Sequence, residues 1–152
     1  MTVHLDHVPS ACWQHTDVEV RNSTIQGDGL FAARPLPAGH QYVDTIAVDE
    51  DVRLVLPPNQ PIHHDNHSCD PNLWHTDAYT LVTRRAIEVG EELTVDYATQ
   101  TTEPAFRMSC RCGPTLCRQV VTGTDWQETA WADRYDGHVV PAVARLTGAA
   151  TP

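Results

Sequence analysis

The sequence predicts a mainly β domain with a cysteine-rich loop and a short helical tail. Short runs of alternating apolar and β-branched residues recur between residues 18 and 97. Glycine and proline interrupt these runs often, which is typical of many short strands joined by turns. Helix-like spacing of apolar residues is confined to residues 125–136 and 138–147.

The first half of the chain is predicted to form short hairpins. Residues 1–16 are polar, rich in histidine and without periodicity, so they are interpreted as an N-terminal arm. Val18, Val20 and Ile25 alternate with polar residues around a turn at Asn22-Ser23. Gly27-Asp28-Gly29 breaks the pattern before an apolar strand resumes at residue 30. Two further strands are expected within residues 41–56, followed by a proline-rich loop.

The second half is predicted to continue with strands and then to change to helix. Leu73–Asp77 and Tyr79–Arg84 are expected to pair as a hairpin, and Leu93–Tyr97 as a further strand. Asp125 is a candidate N-cap of the tail helix, with Glu128 three residues later completing a capping box. The aromatic residues of the tail are expected to form the packed face of that helix; they are Trp126, Trp131 and Tyr135.

Length and composition limit the class of protein. The chain has 152 residues, the size of one domain, and its hydrophobic content of 41% fits a soluble globular protein. No run approaches 18 apolar residues, so no membrane span is expected. The N-terminus lacks the basic start and apolar stretch of a signal peptide, which predicts an intracellular, cytoplasmic protein.

The charge balance limits the partners. The ten basic residues are all arginine, lysine is absent, and the net charge is -10. Such a surface repels nucleic acid backbones, so no direct nucleic acid binding is expected. It attracts cationic partners, although the charge alone supports a role in solubility better than a basic ligand.

Four of the five cysteines are predicted to bind a structural zinc ion. Cys110, Cys112 and Cys117 lie within eight residues, and tetrahedral zinc needs one ligand more. Cys69 is the candidate for that ligand, whereas Cys12 is interpreted as an incidental thiol. In a reducing compartment such spacing favours metal over disulfides. The alternative is a set of reduced thiols packed in a small core.

A histidine cluster near Cys69 is not predicted to bind metal. His63 and His64 precede Asp65 and His67. Adjacent side chains on an extended chain point to opposite faces, so these histidines do not share an ion readily. They are interpreted as ordinary loop residues.

Three motifs together resemble a known family. They are Gly27-Asp28-Gly29-Leu30-Phe31-Ala32, Asn66-His67-Ser68-Cys69-Asp70-Pro71-Asn72 and Glu92-Leu93-Thr94-Val95-Asp96-Tyr97. In this order and spacing they resemble the SET-domain protein lysine methyltransferases, in a compact, bacterial-type form. The cysteine loop resembles the post-SET zinc module of the same family.

The resemblance implies a fold and a set of functional residues. The fold would consist of small twisted β-sheets with a pseudo-knot that brings the Asn66 turn beside Tyr97. The implied division is residues 17–104 for the SET domain, 105–123 for the post-SET zinc loop and 124–152 for the helical tail. By matching position, S-adenosylmethionine would contact Gly27, Asp28, Gly29, Leu30, Asn66 and His67. Tyr97 would be catalytic, and the zinc ligands would be Cys69, Cys110, Cys112 and Cys117.

The implied function is methyl transfer from S-adenosylmethionine to a lysine amine of a protein substrate, with zinc in a structural role only. At pH 7 about one lysine in a few thousand is neutral, so supplying the reactive amine costs roughly 4–5 kcal/mol. Burial beside the positive sulfonium would lower the pKa of the amine. A lysine-containing, basic protein is the expected substrate.

Two other functions stay open at this stage. One is a non-catalytic SET-fold module that binds cofactor or peptide and is stabilised by zinc. It stays open because the segment between Gly29 and Asn66 is short and because the segment around Tyr42–Ala47 departs from the family pattern. The other is a purely structural zinc protein that binds no cofactor.

Overall fold

The computed structural model describes residues 15–44, 65–77, 80–113 and 115–149. Within these residues the chain forms nine strands, two α-helices and two single-turn 3-10 helices. The strands are β1 (Val18–Asn22), β2 (Asp28–Ala32), β3 (Gln41–Asp44), β4 (Asn66–His67), β5 (Leu73–His75), β6 (Thr80–Thr83), β7 (Glu92–Val95), β8 (Arg107–Ser109) and β9 (Val120–Thr122). The helices are α1 (Thr129–Tyr135) and α2 (Pro141–Thr147). The predicted class, mainly β with a helical tail, is confirmed.

Several sequence predictions concern residues outside the described part of the chain. These are the N-terminal arm up to residue 14, the second strand expected before residue 56, the proline-rich loop, Cys12, His63 and His64. Within the described part, no helix has the length and apolar character needed to cross a membrane.

The first sheet carries the site-forming strands in the order β1-β2-β7-β4. β1 and β2 form a hairpin, but its turn lies at residues 23–27 and not at the predicted Asn22-Ser23, and β7 pairs antiparallel with β2. β4 pairs with β7 in parallel, with Asn66 opposite Thr94 and His67 opposite Val95. A parallel pair needs a crossover connection, so this contact joins segments that are distant in sequence.

The second sheet has the order β3-β6-β5 and contains the predicted hairpin of β5 and β6. A single bridge between Leu36 and Ile87 lies outside the named strands. The two sheets share one apolar core. Burying its side chains removes large apolar surfaces from water, which stabilises the packing of the sheets. Its fully buried members include Leu30, Leu73, Leu81, Leu93 and Val95.

A third, two-stranded sheet formed by β8 and β9 flanks the cysteine loop. The sequence prediction left this segment as an irregular loop. The pairing places Ser109 opposite Val120, so the chain enters and leaves the loop at neighbouring positions. The three clustered cysteines therefore lie on a loop whose two ends are fixed.

Three local predictions were wrong. Asp28 and Gly29 belong to β2 and do not interrupt it, since the turn lies at residues 23–27. Tyr97 does not continue β7 but begins a 3-10 turn that is capped by the Asp96 side chain. Asp125 does not cap α1: its carboxylate accepts hydrogen bonds from the main chain and hydroxyl of Thr122.

The helical tail packs on a second core that contains the cysteines. Trp131 and Tyr135 of α1 are buried together with Cys69, Cys110 and Val121, and Trp126 packs against the same cluster. The prediction that these aromatic residues form the packed face of the tail is confirmed. α1 is preceded by Glu128, which makes no side-chain cap, and α2 begins with Pro141. Helices of seven residues are marginal alone, so tertiary packing stabilises them.

The carboxylate of Asp96 connects the tail to the first sheet. It is fully buried and accepts two hydrogen bonds from Arg118, at 2.7 and 2.8 Å. Tyr135 donates to it at 2.6 Å and Trp131 at 3.1 Å. Burial alone would raise the pKa of Asp96, but these donors and the Arg118 charge hold it below its usual value.

We predict that Asp96→Asn destabilises the fold by about 3 kcal/mol, because it leaves Arg118 without its buried partner. At this chain length that corresponds to a fall in Tm of roughly 6–12 °C, measured by thermal unfolding. The Asp96 carboxylate contributes stability above the pKa of aspartate in the unfolded chain. This contribution is lost as the pH falls through the lower pKa of the folded state.

The destabilisation caused by Asp96→Asn should therefore shrink as the pH is lowered from about 6 to about 3. Asp133→Asn, on the exposed face of α1, is the matched control and should change Tm little. An Asp96→Asn variant as stable as the control at pH 6 would contradict the structural role of this carboxylate.

Candidate functional site

The parallel pairing of β4 with β7 places the Asn66 turn directly beside Tyr97. The main-chain N–H of Ser68 extends the pairing by donating to the carbonyl of Val95 at 3.1 Å. The rings of His67 and Tyr97 then meet edge to face, with centroids 5.3 Å apart. The expected juxtaposition of the two motifs is thus present.

A cavity of about 230 Å³ opens at this junction. It is lined by four regions: the β1–β2 turn, the Asn66 turn, the turn that begins at Tyr97, and β8 with the start of the cysteine loop. The lining residues are Ile25, Gln26, Asn66, His67, Tyr97, Met108, Ser109, Cys110 and Arg111. Cavities that enclose a drug-sized ligand usually measure roughly 300–1,000 Å³, so a nucleoside-sized ligand would extend beyond this one.

Tyr97 presents its hydroxyl group at one wall of the cavity. The hydroxyl donates a hydrogen bond of 2.6 Å to the main-chain carbonyl of Asp65. Burial, together with the nearby carboxyl groups of Asp65 and Glu92, raises the pKa of Tyr97 well above its usual value. The hydroxyl therefore keeps its proton at physiological pH, and its oxygen lone pairs stay available to accept a hydrogen bond from a ligand.

The side-chain amide of Asn66 connects the β1–β2 turn to Glu92 through hydrogen bonds. Its Nδ2 donates to the carbonyls of Gln26 and Asp28, each at 3.1 Å, and to Glu92 Oε1 at 2.7 Å. Glu92 also accepts from the Ser23 hydroxyl at 2.9 Å. The Nδ2 group of Asn66 is therefore committed to the β1–β2 turn, and contact with an adenine would fall to its main chain.

Gly29 makes this arrangement possible. A Cβ atom at position 29 would collide with the side chain of Glu92. Glycine is required there because the carboxylate that Asn66 and Ser23 bind lies against the β2 backbone.

His67 connects Tyr97 to the cysteines. Its Nδ1 accepts a hydrogen bond from the main-chain N–H of Tyr97 at 3.0 Å. Burial lowers the pKa of His67 to about 4, so the ring is neutral and its proton resides on Nε2. Nε2 lies 3.3 Å from Cys69 Sγ and donates to it. Both ring nitrogens are thus occupied.

Four thiol groups converge below the cavity. Cys69 Sγ and Cys110 Sγ are 3.8 Å apart, as are Cys110 Sγ and Cys117 Sγ. With zinc–sulfur bonds of about 2.3 Å, sulfurs at the corners of a tetrahedron lie about 3.8 Å apart. The donor atoms of Cys69, Cys110 and Cys112, together with His67, all lie within 4.8 Å of one another. Cys117 is not part of this group, although its Sγ lies 3.8 Å from Cys110 Sγ.

N–H groups point at these sulfurs, as a thiolate centre requires. Cys69 Sγ accepts from the main-chain N–H of Arg118 at 3.4 Å, and Cys112 Sγ from that of Cys69 at 3.4 Å. Without a cation, burial raises the pKa of Cys69 to about 11. Metal binding would therefore release protons from the cluster.

The predicted cofactor residues divide into two groups. Asn66 and His67 line the cavity, whereas Gly27, Asp28, Gly29 and Leu30 do not. The Leu30 side chain is fully buried in the core of the sheets and faces no cavity. Gly27 lies in the turn with a φ of +49°, where its carbonyl accepts from the Ser23 N–H.

The sequence analysis missed most of the lining. Ile25 and Gln26 precede the glycine motif, and Met108, Ser109 and Arg111 flank Cys110. The signal in the sequence for these residues was their position next to the glycine motif and next to the cysteine loop. A turn and a metal loop that both approach the same ligand bring their flanking residues to it as well.

The comparisons with known proteins agree with this geometry. The SET-domain family model matches residues 59–98, which include the Asn66 turn, β7 and Tyr97. Residues 59–98 of this chain are therefore similar to a SET domain. The matched residues are those that form the parallel pairing on which the cavity depends.

Two curated relatives extend the SET-domain match. The histone-lysine N-methyltransferase ash1 of Drosophila melanogaster is 42% identical over 65 residues, which cover 38% of this chain and 3% of that protein. Human histone-lysine N-methyltransferase 2B is 26% identical over 138 residues, which cover 67% of this chain and 5% of that protein. The chain therefore spans only a small part of the length of these relatives.

A solved structure has the same SET fold. The crystal structure of KRYPTONITE in complex with mCHG DNA and SAH superposes with a TM-score of 0.53. The superposition covers 68% of this chain and 28% of that one, at 23% identity. Together with the small sheets and the cysteine cluster, this similarity establishes the SET-type fold.

We predict that Asn66→Ala destabilises the domain by about 2 kcal/mol, because it leaves the carbonyls of Gln26 and Asp28 and the carboxylate of Glu92 without their donor. Denaturant unfolding would measure the loss. Asn22→Ala, at the exposed end of β1, is the matched control. Equal stability of the two variants would show that the amide does not brace the cavity.

Proposed function

We propose that this SET domain transfers a methyl group from S-adenosylmethionine to the side-chain amine of a lysine in a protein. The observation that carries the proposal is the cavity itself. The Asn66 turn, Tyr97 and the cysteine loop line one cavity, and the tyrosine hydroxyl at its wall keeps its proton. The relatives named as histone-lysine N-methyltransferases support this reaction class.

The chain's own residues would position the reactants. The Tyr97 hydroxyl donates to Asp65 and can accept a hydrogen bond from the incoming amine, which fixes the direction of the nitrogen lone pair. S-Adenosylmethionine supplies the electrophilic methyl group. Because the carbonyl of Asp65 holds the tyrosine in place, little reorganisation is needed at the transfer step.

The substrate we propose is a basic, lysine-containing protein, and histones are the first candidates. A net charge of -10 favours association with a basic partner. The chain has no lysine side chain of its own, so labelling of the enzyme itself on lysine does not obscure transfer.

We also propose that Cys69, Cys110, Cys112 and Cys117 bind one structural zinc ion. The sulfur spacing and the N–H groups directed at the sulfurs support this set. The zinc would fix the loop that supplies Met108, Ser109, Cys110 and Arg111 to the cavity wall. It would take no part in the methyl transfer.

We predict that Tyr97→Phe lowers kcat for methyl transfer by about 10²–10⁴-fold while S-adenosylmethionine affinity changes little. The measurement is transfer of labelled methyl from S-adenosylmethionine into core histones or a protein extract, combined with calorimetric cofactor titration. Only the hydroxyl is lost, so the shape of the cavity is retained.

Tyr135→Phe is the matched control, because it also removes a buried hydroxyl but one that binds Asp96. It should lower stability and leave kcat within a few-fold of the wild type. Full activity of Tyr97→Phe would contradict the catalytic role. Cofactor binding by the wild type without transfer to any substrate would instead support the non-catalytic module.

We predict one zinc ion per chain in protein purified without chelator. Cys112→Ser should release the zinc and unfold the β8–β9 hairpin. It should also weaken S-adenosylmethionine binding by about tenfold or more, because the hairpin and its loop form part of the cavity wall. Elemental analysis, hydrogen exchange and calorimetry measure these effects. Cys12→Ser is the control and should keep the metal. Zinc-free wild-type protein with an intact hairpin would overturn the assignment.

A further inference from the structure

Asp65 is a buried carboxyl group whose hydrogen-bonding capacity the fold leaves unused. The residue is only 7% exposed, and its Oδ2 has no hydrogen-bond partner among the described residues. Burial raises the pKa of this carboxyl well above its usual range. An unpaired buried polar group lowers stability, so its presence calls for a functional explanation.

The same protein satisfies a buried carboxylate fully where the role is structural. Asp96 receives five hydrogen bonds, from Ala98, Arg118, Trp131 and Tyr135. The difference between Asp96 and Asp65 is therefore not a limitation of the fold. It marks Asp65 as a group with an oxygen that no described residue of the chain engages.

Asp65 lies beside Tyr97. Its main-chain carbonyl accepts the Tyr97 hydroxyl at 2.6 Å. Covalent geometry keeps the carboxyl of a residue within roughly 5 Å of its own carbonyl oxygen. The Tyr97 ring lines the cavity, so the Asp65 carboxyl lies close to the hydroxyl that would orient the amine.

The proposed reaction needs a proton acceptor at this point, because lysine arrives as an ammonium ion. Tyr97 keeps its own proton, and both ring nitrogens of His67 are engaged. Glu92 is bound by Asn66 and Ser23. Of the two carboxyl groups near Tyr97, Asp65 and Glu92, Asp65 is the one with an unused oxygen.

We propose that the Asp65 carboxylate accepts the proton of the substrate ammonium, an inference that rests on the methyl transfer proposed above. The N–H bond breaks and an O–H bond forms on Asp65, leaving a neutral amine. The nitrogen lone pair then forms the N–C bond as the S–C bond breaks, and that electron pair stays on sulfur. The proton on Asp65 leaves to solvent after the methylated ammonium departs.

Burial makes this proton transfer favourable. Removal from water disfavours the charged form of both groups, so it raises the pKa of a carboxyl and lowers that of an amine. In solution the two values differ by about six units in favour of the ion pair. Inside the site the pKa values of the carboxyl and the amine converge. The carboxylate can then take the proton and leave a neutral amine without a base from solvent.

The test measures binding of two cofactor analogues by calorimetry to the full chain. S-Adenosylhomocysteine has a neutral sulfur, whereas sinefungin carries an amine on the carbon that replaces the methylsulfonium. Asp65→Asn should lower the ratio of sinefungin to S-adenosylhomocysteine affinity by about tenfold or more, because it removes a charge-assisted hydrogen bond. Asp70→Asn, an exposed carboxylate in the same turn, should leave the ratio unchanged.

Two further readouts separate this role from a structural one. Asp65→Asn and Asp65→Leu should raise Tm by a few degrees, because each removes a buried charge without a partner. Transfer by Asp65→Asn should increase about tenfold per pH unit between pH 7 and pH 9, since it depends on free amine. Methyl transfer by the wild type should depend less on pH. Tyr97 and Glu92, the titratable groups facing this point, are unchanged in both proteins.

The outcomes are distinct. If S-adenosylhomocysteine binds and the sinefungin ratio does not fall in Asp65→Asn, the role of Asp65 is wrong while the proposed methyl transfer stands. A fall in Tm for both Asp65 variants would likewise overturn it, because it would show a structural carboxyl. If neither analogue binds the wild type, the proposed function fails and this inference fails with it.

Discussion

Five donors converge on the carboxylate of Asp96, and they join the helical tail and the end of the cysteine loop to the turn that carries Tyr97. Arg118 follows the cysteine loop, Trp131 and Tyr135 belong to α1, and the main chain of Ala98 belongs to the turn that carries Tyr97. A fully buried carboxylate with such partners is destabilising if any of them is lost, because the charge cannot be rehydrated. The position of Tyr97, one residue later, is therefore tied to the folding of the C-terminal third of the chain.

The sulfur cluster is coupled to the same turn by a second path. His67 contacts Cys69 with one nitrogen and the main chain of Tyr97 with the other. The N–H of Arg118 points at Cys69 Sγ while its guanidinium binds Asp96. Two routes thus lead from the cysteines to Tyr97, and both require the sulfurs to be acceptors. Thiolates accept hydrogen bonds better than thiols do, so a bound cation would strengthen both routes together.

The sequence predicted those parts of the molecule that depend on local pattern or on a dense motif. The β5–β6 hairpin and the packed aromatic face of the tail follow from alternation and helical spacing, and the Asn66 turn is recognisable from its residues. The role of Asp125 was mispredicted because a capping-box pattern also fits a carboxylate that binds Thr122. The β8–β9 pairing was missed because three-residue strands have too little periodicity to detect. The network around Asp96 could not be predicted, since it joins residues up to 39 positions apart.

The two buried aspartates show how the fold divides its polar groups between stability and chemistry. Around the cavity, the Asn66 amide, both His67 nitrogens and the Glu92 carboxylate are used by the protein itself, so they shape the walls without being free for a reactant. The oxygen of Tyr97 and the unpaired oxygen of Asp65 are among the groups left for a reactant. One is a hydrogen-bond acceptor that keeps its proton, and the other is a carboxyl that gains one readily. A site with these two groups is suited to receive an ammonium ion and to convert it to an amine, which is the form that methyl transfer requires.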